Sequence, residues 1–326
     1  MRLEERIDRL AELGQQLLQD PKMEEIIHRA FAANPWFTIE NIKKSIEAIC
    51  FEYLDKAKLQ KWILPYNIQT SSQPKTIGLV MAGNIPAVGF HDLLSVWISG
   101  HKALIKFSTK DQIIMSWIVG WMNRLDTRDD SYITEVELLT NFDAVIATGG
   151  DNTSRYFEYY FRHVPHIIRK NRNGIAVLHG SEKYDELYLL GHDVFSYFGL
   201  GCRNVSRLWV PENFDIDALI EPWSNFDQIM DHFKYKNNYD YNLALFLLNK
   251  EKFIQHPNIL LKEDAQISSR IACINFSRYK IINDVVDYID HNADKIQCII
   301  STQSVDDISV ISPGHSQNPS LWDYAD

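Results

Sequence analysis

Residues 76–107 read TIGLVMAGNIPAVGFHDLLSVWISGHKALIKF. Thr76–Gly83 is a short apolar run that ends on glycine and asparagine, the pattern of a buried strand. Val88–Ser99 carries apolar residues at helical spacing, and Ala103–Phe107 is a second short apolar run. Strand, helix and strand at this spacing form a βαβ unit, whose two strands lie parallel. The alternation continues with a helix over 112–122, a third strand at Ala144–Thr148, a helix over 152–162 and a fourth strand at Ile175–Leu178. This predicts an α/β fold with a parallel sheet. Ligands bind such sheets outside the carboxyl ends of the strands. Those ends are Met81-Ala82-Gly83-Asn84, Lys106-Phe107-Ser108, Thr148-Gly149-Gly150 and His179-Gly180.

Upstream of this stretch the chain reads as helical. Leu3, Ile7, Leu10, Leu13 and Leu17 recur at intervals of three and four, the stripe of an amphipathic helix. Asp20-Pro21 is a cap followed by a first-turn proline, and Ile39, Ile42, Ile46 and Ile49 form another stripe. Nothing chemical sits there, so packing or an oligomer contact is the expected role. Pro65–Pro74 turns polar and reads as a connector. Downstream, Val205–Val210, Ala244–Leu248, Ile271–Phe276 and Gln297–Ser301 read as further strands. The expected organisation is a helical segment over 1–74, a ligand-binding sheet over 75–180 and a second α/β block over 181–326.

Composition excludes several classes. The chain has 326 residues and a net charge of −10, the wrong sign for duplex binding, so nucleic acid is not an expected partner. No run of 18 apolar residues occurs, so no membrane-spanning helix is expected. Met1–Asp8 carries no apolar signal core. The four cysteines, at 50, 202, 273 and 298, form no Cys-x-x-Cys pair, as in a reduced, cytoplasmic protein. The histidines show no metal-ligand spacing, and no metal is assigned.

Several positions carry candidate chemistry. Cys202 lies among Gly199, Gly201 and Arg203 just before a strand. Glycine leaves access to the sulfur, and a neighbouring cation favours the thiolate. Cys50, Cys273 and Cys298 sit in apolar runs and read as buried thiols. On local context alone, nucleophile and buried thiol are evenly balanced for Cys202. Asn84 can donate to a developing oxyanion, or can serve as a turn asparagine bonding its own backbone. Lys106 can reach a ribose hydroxyl or a phosphate, or simply extend to water. Thr148-Gly149-Gly150 opens a helix as a phosphate-binding turn does, but neither common nucleotide-binding glycine motif is present. Arg169, Lys170 and Arg172 form the one dense basic cluster, either a phosphate contact or a solvated loop.

Taken in order, these pieces resemble the aldehyde dehydrogenase superfamily. They are more closely similar to its acyl-CoA reductase family, which includes the reductase that makes fatty aldehyde for bacterial luciferase. The resemblance rests on Gly83-Asn84-Ile85-Pro86, Leu104-Ile105-Lys106-Phe107-Ser108, Ala147-Thr148-Gly149-Gly150, Gly199-Leu200-Gly201-Cys202, Lys262-Glu263-Asp264 and Trp322-Asp323-Tyr324-Ala325-Asp326. It covers roughly residues 75–326. It implies a Rossmann-type nicotinamide-cofactor domain, a smaller α/β catalytic domain and a C-terminal return to the first. Cys202 matches the thiol that takes the acyl group from coenzyme A, and Asn84 with the Cys202 amide matches the oxyanion hole. Lys106, with Ser108 beside it, matches the contact to the adenosine ribose. Thr148, Gly149 and Gly150 match the turn beside the pyrophosphate, and Glu263 matches the carboxylate on the nicotinamide ribose.

One departure has a consequence. Hydrolytic members carry Glu-Leu-Gly-Gly before the thiol, whose glutamate activates water. The corresponding stretch from Arg169 to Gly180 holds no carboxylate. Without that base, water attack on a thioester is slow. The resemblance therefore implies NADPH-dependent reduction of a long-chain acyl-CoA to its aldehyde, with NADH as the other cofactor option. A homodimer is the default, alone or in a complex with acyl-transferring or acyl-activating proteins. Arg169, Lys170 and Arg172 are the candidate contacts to coenzyme A phosphates. An aldehyde dehydrogenase, an acyl-phosphate reductase and a catalytically silent acyl- or nucleotide-binding subunit stay open as alternatives. The chain is short for the superfamily, which implies trimmed surface elements and a C-terminal tail beyond Asp326.

Overall fold

The computed structural model describes residues 1–66, 68, 73–128 and 132–323. In chain order the helices and strands are α1 (Leu3–Gln19), α2 (Met23–Ala33), α3 (Ile39–Ala48), α4 (Lys56–Ile63), β1 (Thr76–Val80), α5 (Phe90–Ile98), β2 (Lys102–Lys106), α6 (Gln112–Leu125), β3 (Ile133–Glu135), β4 (Ala144–Thr148), α7 (Asp151–Phe161) and β5 (His166–Arg169). They continue as β6 (Asn173–Val177), α8 (Tyr184–Phe195), β7 (Val205–Pro211), α9 (Ile220–Ser224), α10 (Phe233–Leu248), β8 (Ile254–Gln255), β9 (Leu260–Glu263), β10 (Cys273–Tyr279), α11 (Ile282–His291) and β11 (Ile296–Ser301). The chain divides into two compact units: Met1–Asn171 with the return from Pro319, and Arg172–Asn318.

The first unit is built on a five-stranded sheet of order β3-β2-β1-β4-β5, every pair parallel. Leu79, Ala103, Ile105, Val145 and Ala147 are buried on it. The stripe of α1 (Ile7, Leu10, Leu13, Leu17) and that of α3 (Ile42, Ile46) join one apolar core with Leu93 and Leu94 of α5 and Ile114 and Ile118 of α6. The N-terminal helices are thus an outer layer of the first sheet's own core. α2 begins at Met23 with Lys22 as its N-cap, so Asp20 and Pro21 stand ahead of the helix rather than as its cap and first turn, and Asp20 holds the approach instead. Its carboxylate accepts from the Lys22 amide at 2.9 Å and from the indole N–H groups of Trp117 and Trp121, both at 2.7 Å. Leu321 returns to the same core, and its carbonyl lies 3.3 Å from His91 Nε2.

The second unit holds a six-stranded sheet of order β11-β6-β7-β10-β9-β8, parallel except for the short β8–β9 pair. Strand β7 is central and buried along almost its whole length, as a strand covered on both faces must be. Separate apolar clusters lie against the sheet, one around Leu190, Leu208 and Ile274, the other around Val177, Val285 and Ile299.

Several expectations are corrected. The strand containing Ile175 pairs with β7 and β11, so it belongs to the second sheet and the first unit ends at Asn171 rather than near 180. The first sheet is completed instead by β3 and by β5, which occupies the start of the basic run read as a loop. Ala244–Leu248 is the last turn and a half of α10. Tyr235, Tyr239, Asn242 and Phe246 face inward at helical spacing, and the His232 ring accepts from the Tyr235 amide at the helix start. A run of alanine, leucine and phenylalanine without β-branching follows whichever period its upstream neighbours set.

Candidate active site

In the first unit the strand order reverses at β1, which has β2 on one side and β4 on the other. The turns after these three strands therefore share the carboxyl edge where a crevice opens. Gly83 lets two of them touch. A Cβ there would stand 2.5 Å from Ser108 Oγ, so no larger residue fits between the β1 and β2 turns. Ala87 adopts a left-handed φ of 54°, and the buried Ser45 hydroxyl of α3 donates to the Pro86 carbonyl at 2.6 Å. Asn84 sits half-buried inside this pinned turn. Asp111 lies beneath it; burial holds its carboxyl well above the usual range, opposed by the Ala87 amide.

Lys106 ends β2 exposed, and its ammonium donates to the Glu137 carbonyl at 2.6 Å. Thr148 ends β4. The Gly149 amide donates to the Arg169 carbonyl at 3.1 Å, and Gly149 packs tightly on Thr153 and Phe157 of α7. Gly150 stands before α7 with open space where a Cβ would be, nothing lying within 4 Å. The first-turn amides of α7 have no acceptor within the helix, and the helix dipole adds positive potential there.

The basic cluster is divided. The Arg169 guanidinium pairs with the buried Asp92 carboxylate of α5, and Lys170 pairs with Glu158 of α7 at 2.9 Å. Arg172 starts the second unit, half-buried.

In the second unit Cys202 is the partly exposed cysteine, whereas Cys273 and Cys298, and Cys50 of the first unit, are buried. Burial pushes the Cys50 and Cys273 thiols up to about 12, so both stay protonated and inert near neutrality. Cys202 lies between the short turn Ser196–Gly199 and β7. Tyr197, Phe198 and Gly199 are consecutively left-handed, with φ of 51°, 60° and 73°. Gly174 of β6 supports the loop from below, since a Cβ there would stand 2.7 Å from the Arg203 carbonyl oxygen. The Arg203 Nε donates to the Ser316 carbonyl at 2.6 Å, and the Cys298 thiol lies 3.6 Å from the Arg203 carbonyl. Glu263 closes β9 and is exposed. Its neighbour Lys262 pairs with Glu251 and Asp264 at 2.5 and 3.0 Å.

Sequence reasoning passed over two side chains in this unit, Asn204 and Asp193. Both are buried; Asn204 bonds Gly201 and the end of α8, and Asp193 bonds Ser316, whose carbonyl accepts from Arg203. The available signal was an asparagine three residues after glycine, just ahead of an apolar strand, where an Asx side chain closes a turn. Among the described residues no group of three or more His, Cys, Asp or Glu converges to hold a metal ion. Nor is any described helix long and apolar enough to cross a membrane.

No protein-family model matches the chain, and no curated protein does. Solved structures do. An aldehyde dehydrogenase 21 from Physcomitrella patens, crystallised with its product succinate, superposes with a TM-score of 0.70 at 12% identity over 95% of this chain and 79% of that one. An NAD-dependent aldehyde dehydrogenase from Sinorhizobium meliloti gives 0.71 at 13% identity, over 92% and 70%. A mutant of aldehyde dehydrogenase C from Pseudomonas syringae, in complex with NAD+ and octanal, gives 0.68 at 10% identity, over 93% and 72%. At these identities the likeness is one of fold: the chain has the aldehyde dehydrogenase fold, with Rossmann-type parallel sheets.

Proposed function

We propose that the protein is a nicotinamide-dependent oxidoreductase of the aldehyde–acyl couple, and specifically a reductase of long-chain acyl-CoA acting through a Cys202 thioester. The observation that carries the reading is an accessible thiol in a pinned, glycine-flanked loop, in a chain with the aldehyde dehydrogenase fold. The other three cysteines are buried and offer no rival nucleophile.

The first unit suits a dinucleotide. Gly150 leaves open space at the start of α7, the α7 amides favour a pyrophosphate, and exposed Lys106, next to Ser108, suits an adenosine ribose or its 2′-phosphate. On this reading Thr148, Gly149 and Gly150 line the phosphates and Glu263 holds the nicotinamide ribose. Lys106 favours NADPH over NADH. When bound, the nicotinamide supplies a hydride to the acyl carbon.

The chain's own residues do the rest. Cys202 Sγ, as thiolate, attacks the acyl-CoA carbonyl. On this reading the negative charge that develops on oxygen is held by the Asn84 side-chain amide and the Cys202 backbone amide. The bond from the acyl carbon to the coenzyme A sulfur then breaks, and free coenzyme A leaves. After reduction the same donors hold the thiohemiacetal oxygen until the bond to Cys202 Sγ breaks, releasing aldehyde and restoring the thiolate. The stretch Arg169–Gly180, which the resemblance matches to the water-activating segment, holds no carboxylate, so on this reading the thioester outlives attack by water. Among the described residues Arg172 pairs with no acidic side chain, and with Arg169 and Lys170 it is proposed to meet coenzyme A phosphates. A homodimer in the cytoplasm, working beside acyl-transferring or acyl-activating proteins, completes the proposal.

Incubation with a series of acyl-CoAs and NADPH or NADH, followed at the nicotinamide absorbance band, tests it. Oxidation of the cofactor that disappears in Cys202→Ala is expected. No turnover at any chain length, or turnover surviving Cys202→Ala, overturns the reading. Parallel reactions with acyl phosphate and with free aldehyde plus oxidised cofactor separate the neighbouring activities. A silent subunit would show no protection of Cys202 from alkylation by acyl-CoA.

A further inference from the structure

Asn204 is buried two residues beyond Cys202, and its side chain reaches two segments of the second unit, the thiol turn and the end of α8. The Oδ1 accepts from the Gly201 amide at 2.8 Å, while the Asn204 amide donates to the Gly201 carbonyl at 3.1 Å. Both backbone polar groups of Gly201 are therefore held by one residue, and Cys202 is fixed in the turn between them. The Nδ2 donates to the carbonyls of Asp193 and Ser196 at 2.9 and 2.8 Å, with that of Val194 at 3.4 Å. These carbonyls lie in the last turn of α8 and at the residue that follows it. The Asn204 carbonyl in turn accepts from the Gly174 amide of β6 at 3.0 Å.

A second clamp closes the loop from the other side. The Asp193 carboxylate, fully buried, accepts from the amides of Gly314 and Ser316 at 2.6 and 2.9 Å. Arg203, next to Cys202, donates to the carbonyl of that same Ser316 at 2.6 Å. The thiol turn is thus tied to α8 and to the 314–316 segment by side chains that do not themselves bear the reacting sulfur, and to β6 through the Asn204 backbone carbonyl.

We infer that Asn204 is a positioning residue for the Cys202 thiol, setting the direction of the sulfur and of the backbone amides around it. The inference rests on Cys202 being the reacting thiol of the proposed function. Asn204→Ala removes every side-chain bond without adding charge. Asn204→Ser keeps one acceptor and one donor and should recover part of the effect. The readout is the rate of Cys202 alkylation by iodoacetamide across pH, located by mass spectrometry and normalised to folded protein, beside the rate of Cys202 acylation by an acyl-CoA.

In Asn204→Ala the alkylation rate at neutral pH should fall about tenfold and its pH midpoint should move, as the sulfur loses its fixed direction. Acylation should fall by roughly tenfold to a hundredfold, the penalty for a misplaced nucleophile. Asn204→Ser should lie between the variant and the wild type. Leu219→Ala, a core truncation in the same unit, should lower the melting temperature and leave the alkylation profile unchanged. Wild-type alkylation rate and midpoint in folded Asn204→Ala overturn the inference. Should that variant not fold, a wild-type profile in Asn204→Ser overturns it equally. A wild-type protein that alkylates at Cys202 but never reduces acyl-CoA defeats the proposed function instead, and leaves the alkylation comparison to decide the role of Asn204.

Discussion

Gly174→Ala probes the packing under the thiol loop at a position where glycine is required by space rather than by conformation. The added Cβ would stand 2.7 Å from the Arg203 carbonyl oxygen and 2.9 Å from that of Asn204; reaching an ordinary 3.4 Å needs shifts of 0.7 and 0.5 Å (3.4 − 2.7 and 3.4 − 2.9). Neither obstacle is a flexible side chain end. Both are backbone atoms of the loop, held by the Asn204 and Arg203 side-chain bonds. Relief must come from moving the loop away from β6, which stretches the 3.0 Å bond from the Gly174 amide to the Asn204 carbonyl. Overpacking of this kind costs about 1–3 kcal/mol. For a cooperative unit of this size, about 2 kcal/mol lowers the melting temperature by roughly 4–8 °C. Calorimetry measures the melting temperature, and iodoacetamide alkylation measures the state of Cys202 in the folded variant. The expected outcome is a lower melting temperature together with a slower reaction at Cys202. An unchanged melting temperature with wild-type alkylation would refute the claim that the loop rests on Gly174.

Gly150→Ala stands in contrast, since nothing lies within 4 Å of the new Cβ; the melting temperature should move by less than about 2 °C, whereas the dissociation constant for NADPH should rise several-fold in a fluorescence titration, and equal affinity would remove Gly150 from the phosphate site. Arg169→Met removes the cation paired with the buried Asp92 carboxylate and should cost about 3 kcal/mol in chemical denaturation, while Lys170→Met, which breaks a pair with the exposed Glu158, should leave the denaturation midpoint nearly unchanged. Equal costs would contradict the assignment of Arg169 to a buried pair. The Cys50 and Cys273 thiols, pushed up from 9.0 to about 12, bind protons more tightly in the folded chain than in the unfolded one. Stability should therefore fall as pH rises above 9, at up to about 1.4 kcal/mol per pH unit for each thiol until pH 12. Denaturation midpoints for Cys50→Ser against wild type at pH 8 and pH 10 check this; parallel pH slopes would rule out the thiol as a source.

The first sheet was legible because its turns are punctuated. Gly83-Asn84 and Gly149-Gly150 end apolar runs that are followed by helical spacing, and this marks both the βαβ order and the edge where ligand binds. Strand β3 was missed because Ile133–Glu135 is three residues long with a single buried side chain. Strand β5 was missed because its two isoleucines sit beside arginine and lysine, and an edge strand need bury little. The sheet to which Ile175 belongs could not be read from its residues. A run of Ile-Ala-Val that is apolar on both faces fits either parallel sheet, and only the pairing with β7 and β11 decides. Cys202 was legible as an exposed thiol because glycine surrounds it. Its supports were not, because Asn204 is adjacent in sequence but acts on α8, and Asp193 acts across more than a hundred residues on Gly314 and Ser316.

The backbone before the thiol explains why such supports are present. Tyr197 and Phe198 hold left-handed conformations that cost of order 1–3 kcal/mol each for a non-glycine residue, roughly 2–6 kcal/mol together. Both rings are buried, Phe198 with its centroid 4.3 Å from the His232 ring, and each contributes about 1.5–3 kcal/mol by burial. The two amounts are of the same size, so ring burial alone leaves the strained turn close to balance. The three best side-chain bonds of Asn204, at about 1 kcal/mol each, move it firmly toward the observed form. The turn that carries Cys202 is thus held by a margin of a few kcal/mol that one residue largely supplies, so truncating Asn204 should loosen the thiol before it unfolds the sheet.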